Sequence, residues 1–313
     1  MNTADGGGAS LPLGRTGLVS YPLALDGSIF GWASGPEETS AVLDAFHAAG
    51  GRLVATADHY AGGRSEVMLG TWMRERGCRD GMIVATKVGR HPDAAGLSPS
   101  SITRGVDASL RRLGTDRIDF LAFDGDHPGT PFEDSLGAVE RLRVAGKVRF
   151  LSVAGFEAGR IAELAATAER LGIPAPSGLL TEYNLVHRSA YESGLAAVAE
   201  RVGLAVFARL PLASGYLAGV LRSRDQVPTS VMFAAAREHI GARGERILAA
   251  VERVALEVGA PLAAVSLAWL LARGGGVIPV VRAAAAEHIE EQIRAVGLTL
   301  SREQLALLDR VSE

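Results

Sequence analysis

The chain contains two lysines, Lys87 and Lys147, and takes the rest of its fixed positive charge from arginine. Lys87 closes an apolar run, Met82-Ile83-Val84-Ala85-Thr86-Lys87-Val88-Gly89. An ammonium at the end of a buried strand is costly unless it is paired or put to use. Just upstream stand Thr56-Ala57-Asp58-His59-Tyr60, then Gly62-Gly63-Arg64-Ser65-Glu66 and Leu69-Gly70. Asp26, Asp124 and Arg209 follow further apolar runs, so each also sits at a strand end. Neighbouring acids and bases held in different environments are what proton-transfer chemistry needs.

Those side chains need a frame. Short apolar runs read as strands at Leu23–Leu25, Leu53–Ala55, Met82–Lys87, Ile118–Phe123, Val148–Val153, Gly178–Glu182, Leu204–Ala208 and Val277–Val280. Amphipathic stretches between them read as helices: Glu37–Ala49, Ser65–Arg76, Ser101–Leu113, Phe132–Ala145, Ala158–Leu171 and Tyr191–Arg201. Three more follow at Gly244–Val258, Leu262–Arg273 and Glu287–Val296. Gly50-Gly51, Gly114, Gly146 and Gly172 each stand where a helix should stop. Strands alternating with helices predict an α/β fold, a single (β/α)8 TIM barrel spanning residues 1–313. Residues 1–10 are expected to be disordered, 218–243 to form a long loop over the barrel mouth, and Ser301–Glu313 to cap the fold as a helix.

Composition narrows the function. A 48% hydrophobic content allows one large core, and a net charge of −3 gives no reason to expect nucleic acid or an anionic membrane as partner. The single cysteine, Cys78, excludes an internal disulfide and a cysteine-based metal cluster. The start of the chain lacks the basic and apolar regions of a signal peptide, and no window is long and apolar enough for a membrane span. No His/Asp/Glu set has metal-ligand spacing, so no metal is expected. The expectation is a soluble cytoplasmic protein whose partner is a small-molecule substrate.

The segments from Leu13-Gly14-Arg15-Thr16-Gly17 onward resemble those of the aldo-keto reductases. The likeness is carried by Thr56–Tyr60, Leu113-Gly114-Thr115-Asp116-Arg117-Ile118-Asp119, Ala145-Gly146-Lys147-Val148-Arg149 and Glu182-Tyr183-Asn184-Leu185. It continues through Pro211-Leu212-Ala213-Ser214-Gly215-Tyr216-Leu217, Leu267–Leu271 and Ile278-Pro279. The resemblance implies the barrel named above, Tyr60 as proton donor and Lys87 as the cation that tunes it. It also implies departures. The catalytic Asp position holds Ala55, and the substrate-orienting His position holds Asp124. Where that family grips the nicotinamide of NADP(H), this chain has Ala154, Gly155, Leu180, Arg209 and Leu210; Asp26-Gly27 replaces a Gly-Thr pair. Arg282 is left to meet a 2′-phosphate. Unpaired amide groups in such a pocket cost roughly 1–3 kcal/mol each, which predicts that no nicotinamide cofactor binds tightly in the family manner.

Three functions stay open: an NADP(H)-dependent reductase with an altered tetrad, a redox-neutral dehydratase, isomerase or cyclase, and a non-catalytic binding protein. The new charges favour the second. Tyr60, Lys87 and Asp124 are its catalytic candidates, with Asp124 as general acid or base. Asp26, Asp58, Arg209 and Trp32 are the candidate substrate contacts. Bland alternatives stand beside these. Lys87 is expected to pair with Asp58 or Asp124, Asp58 to cap a turn, Arg209 to bridge to Glu182, and His59, His127 and His187 to be loop residues.

Overall fold

Eight short strands close into one parallel barrel in the computed structural model, which describes residues 10–223, 225, 233 and 236–313. The strands are β1 (Ala24–Asp26), β2 (Leu53–Ala55), β3 (Ile83–Val88) and β4 (Ile118–Asp124), then β5 (Val148–Ala154), β6 (Gly178–Glu182), β7 (Ala205–Arg209) and β8 (Val277–Val281). Each pairs with its successor, and β8 closes on β1 through Val280 opposite Ala24. Helices α1 (Pro36–Ala48), α2 (Arg64–Arg76), α3 (Pro99–Leu113), α4 (Phe132–Val144) and α5 (Ala158–Leu171) return the chain between the first six strands, and α6 (Ala196–Val202) leads into β7. The barrel and the order of its parts match the sequence expectation.

Local chemistry sets the helix ends. Ser98 accepts the Ser101 amide to start α3 with Pro99 in its first turn, and Gly114 ends it at φ 61°. That left-handed geometry is cheap for glycine and strained for other residues. Gly70 serves packing instead: a Cβ there would stand 2.4 Å from the Leu113 carbonyl oxygen, so α2 and α3 touch backbone to backbone.

Side chains alternate along each strand, one face to the helices and one into the barrel. The inner set includes Leu53, Ala55, Ile83, Ala85, Phe120, Ala122, Ala154, Leu180, Phe207 and Val280. Phe120 fills the lower barrel against Phe150 at 5.3 Å and Phe207 at 5.5 Å between ring centroids. A ribbon of Leu11–Pro12 against Val19–Ser20 leads in, and Leu13 belongs to that inner set. Higher up, Ala55, Ala85, Ala122 and Ala154 leave the barrel thinly filled. Lys87, Asp124, Glu182 and Arg209 stand two residues beyond inner positions and so project into the C-terminal mouth, as Asp26 does after Ala24.

Beyond β7 the chain forms a 3₁₀ turn at Ala213–Ala218, and α7 (Ala242–Val258), α8 (Leu262–Leu271), α9 (Ala286–Ile293) and α10 (Arg302–Ser312) complete the ring and its cap. The last has the capping box that Ser301 and Gln304 allow. The expected disordered start falls, apart from Ser10, outside the described residues, as do 224, 226–232 and 234–235 of the expected long loop. What is described there corrects the loop bounds: Ala236–His239 is a helical turn and α7 already begins at Ala242. Among the described residues no single helix is long and apolar enough to cross a membrane, although α7 and α8 together pass that test as a pair bent by 97°.

Candidate active site

The centre of the site is Lys87 on β3. Its side chain is 3% exposed, and its Nζ donates to the Thr56 carbonyl at 2.8 Å and to the Tyr60 hydroxyl at 2.9 Å. The ammonium also lies 4.3 Å from the centre of the Tyr60 ring. Ladder bonds fix these partners. Thr56 N donates to Ala85 O at 2.8 Å, and Asp58 N donates to Lys87 O at 3.0 Å. The Thr56 hydroxyl shares a hydrogen bond with Ser65, which donates to Gly27 O. Glu66, fully buried, accepts from Thr86 at 2.5 Å and from Arg112 at 2.7 Å, tying the first turn of α2 to β3. The loop carrying Tyr60 then turns through Ala61, Gly62 and Gly63, all at positive φ.

The expected pairing of Lys87 with Asp58 or Asp124 does not form: no described carboxylate comes within 4.0 Å of Nζ. For Asp124, register is the reason. Lys87 stands opposite Ala122 on β4, which places Asp124 about 6.6 Å farther along the strand. Asp124 is nearly buried and pairs instead with Arg90, whose Nε is 3.2 Å from Oδ1. Its other oxygen lies 3.9 Å from His59 Nδ1.

The remaining candidates divide. Asp26 closes a local turn, accepting from the Ser28 amide at 2.9 Å and its hydroxyl at 2.8 Å. Asp58 is 0% exposed, so it is no direct substrate contact; its one side-chain partner is His59, at 3.3 Å, and its Oδ2 is buried without a partner. Arg209 stands opposite Glu182 in register, yet the two form no ion pair within 4.0 Å. Trp32 is 56% exposed and is not drawn into the cavity described next. His59 lies in the loop after β2, as expected, and Arg90, not singled out from the sequence, is the ion-pair partner of Asp124.

A cavity of about 250 Å³ opens at the mouth between the ends of β7, β8 and β1. Asp26, Leu210, Ser214, Arg282, His288 and Gln292 contribute to its wall. Gln292 is 5% exposed; its Nε2 donates to Arg282 O at 3.1 Å, while its Oε1 is buried with no partner. An orphaned amide oxygen beside a guanidinium and an imidazole fits the phosphate and adenine end of a nucleotide, which supplies anionic oxygens and an amino donor. The other end is less well served, because Ala154, Gly155, Leu180 and Leu210 offer a carboxamide no side-chain hydrogen bond. Among the described residues no group of three or more His, Cys, Asp or Glu side chains is arranged to hold a metal ion.

Comparison with known proteins agrees with this geometry. A sequence profile described as "Aldo/keto reductase family" matches residues 25–313. Aldo-keto reductase AFTS1 of Alternaria alternata is 29% identical over 95% of this chain and 90% of its own. The uncharacterized oxidoreductase YrpG of Bacillus subtilis (strain 168) is 30% identical over 96% and 94%. Aldo-keto reductase yakc [NADP(+)] of Schizosaccharomyces pombe is 28% identical over 86% and 80%. A parallel barrel carrying a lysine-bound tyrosine at its mouth, matched by that profile almost end to end, makes the chain a member of the aldo/keto reductase family.

Proposed function

We propose that the protein is an NADP(H)-linked oxidoreductase acting on the carbonyl group of a small polar metabolite. The observation that carries this reading is the 2.9 Å hydrogen bond between Lys87 Nζ and the Tyr60 hydroxyl at the barrel mouth. Tyr60 gives its hydroxyl proton to the substrate oxygen. Lys87 holds that hydroxyl in place and stabilises the negative charge left on it. Arg282, Gln292 and His288, which line the cavity, would hold the nucleotide end of the cofactor. When bound, the reduced nicotinamide supplies a hydride. Oxidoreductase names among the relatives, and the NADP(+) in the name of one, support this reading over the redox-neutral chemistry expected from the altered tetrad. We place the activity in the cytoplasm, since a chain with one cysteine makes no internal disulfide and needs no oxidising compartment.

A second reading rests on Ala154, Gly155, Leu180 and Leu210, which leave a nicotinamide amide without side-chain partners. Here no cofactor binds, and Asp124 and Tyr60 exchange protons with a carbon acid or hydroxyl in a redox-neutral dehydration, isomerisation or cyclisation.

Calorimetric titration with NADPH separates the two, followed by assay of 4-nitrobenzaldehyde reduction through loss of reduced-nicotinamide absorbance. Saturable binding and turnover are expected. No heat and no turnover with millimolar NADPH would overturn the first reading in favour of the second.

A further inference from the structure

We propose that His59 contacts the substrate, binding a hydroxyl next to the reacting carbonyl, and that Asp58 is the positioning residue that aims its ring. The substrates are then hydroxy-aldehydes or hydroxy-ketones. This assignment rests on the carbonyl-reducing reading above for the reaction, though the geometry behind it does not.

Four observations carry it. Asp58 is fully buried, and its backbone is pinned to Lys87 O, so its carboxylate has a fixed place. Its Oδ1 lies 3.3 Å from His59 Nδ1, and Asp124 Oδ2 lies 3.9 Å from the same nitrogen. The imidazole packs edge-on against the Tyr60 ring, 4.9 Å between centroids, which puts it beside the proton donor. The side chain remains 28% exposed, so a small molecule can reach it. Beside the ring stand Asp58 and Tyr60 of its own loop and Asp124 at the end of β4; Lys87 holds the Tyr60 hydroxyl, Arg90 pairs with Asp124, and His127 lies by Gly89 and Gly125.

The chemistry follows from what each atom can do. An ionised carboxylate only accepts hydrogen bonds, so Asp58 Oδ1, 3.3 Å away, holds a ring proton on Nδ1. With that proton in place, the lone pair of Nε2 is the acceptor the ring can offer a ligand. An acceptor beside Tyr60 matches a donor on the substrate, and a hydroxyl adjacent to the carbonyl is the simplest group that offers one. A site built to accept a hydroxyl discriminates strongly against an analogue lacking it.

Glycolaldehyde and propanal form a near-isosteric pair, one hydroxyl against one methyl. With NADPH, wild type is expected to prefer glycolaldehyde at least ~10-fold in kcat/KM. His59→Phe retains the aromatic contact to Tyr60 but should bring that ratio to about one. Asp58→Asn should lower the ratio partway, and His59→Gln should restore part of what Phe loses. A long-range nitrogen–proton NMR spectrum, with His59 assigned by its loss in His59→Gln, reads the ring directly. A proton on Nδ1 in wild type that is lost in Asp58→Asn is expected. A wild-type ratio near one, or a ratio unchanged in His59→Phe, overturns the proposal. If wild type reduces neither aldehyde, the carbonyl-reducing reading has failed; the Asp58–His59 pairing is then decided by the spectrum, and an unchanged ring in Asp58→Asn overturns that too.

Discussion

Replacing Lys87 with Met tests whether this buried cation serves chemistry or stability. The ammonium makes two hydrogen bonds, to Thr56 O at 2.8 Å and Tyr60 Oη at 2.9 Å. Bonds of that charged kind contribute about 1.5–3 kcal/mol each. The Tyr60 ring face at 4.3 Å adds up to about 2 kcal/mol. Against these stands the desolvation of an ammonium with no described carboxylate within 4.0 Å, an effective cost of several kcal/mol. Met fills nearly the same volume and removes the buried charge. It leaves the Thr56 carbonyl without a donor, at about 1–3 kcal/mol. These contributions nearly cancel, so Lys87→Met should unfold in urea within about 2 kcal/mol of wild type. Turnover should fall by about 10²–10⁴, because the Tyr60 hydroxyl loses the group that positions it and stabilises its charge. Equilibrium denaturation and NADPH-linked assay on the same preparation read both quantities. Full activity in Lys87→Met would refute the catalytic assignment. A stability loss above about 4 kcal/mol would refute the near-cancellation and make Lys87 a structural residue.

Three further outcomes are expected. Ala55→Asp places a carboxylate on β2 facing the barrel interior, the side on which Lys87 projects; if the missing acid limits the reaction, NADPH-linked turnover rises with it and falls again in Ala55→Asn. Gly70→Ala sets a Cβ 2.4 Å from the Leu113 carbonyl oxygen, so α2 must shift; a loss of about 1–3 kcal/mol by thermal or urea unfolding is expected, and an unchanged midpoint would show that the two helices yield freely. Burial holds the pKa of His239 below its ordinary value, so the folded state binds less proton there than the unfolded chain. Its stability contribution is therefore present above the unfolded pKa, about 6.5, and lost as pH falls from there through the lowered folded pKa; His239→Gln should flatten that part of the pH–stability curve, seen by thermal unfolding as pH is lowered from 8.

Much of this protein was legible before any coordinates. Apolar runs near Leu53, Ile83, Ile118 and Val148 are buried on both faces because helices cover a parallel sheet outside and side chains fill it inside. That makes strands read as unbroken hydrophobic segments. Glycines such as Gly114 mark helix ends through backbone geometry alone. The weight of Lys87 was legible too, since a lone lysine closing such a strand projects at the barrel mouth by the period of two. What the order of residues could not supply was register and direction. Lys87 and Asp124 both end strands, but the pairing of Lys87 with Ala122 separates them and gives Asp124 to Arg90, a residue on no strand. Asp58 and His59 are neighbours in sequence, yet only the folded loop buries one and leaves the other at the surface beside Tyr60. The cavity of Arg282, His288 and Gln292 likewise exists only where the barrel closes, because strand β8 must meet β1 before its loop and α9 can face the turn after β7. Sequence sets which groups are present and which strand ends carry them; the closure and stagger of the barrel decide which of them meet.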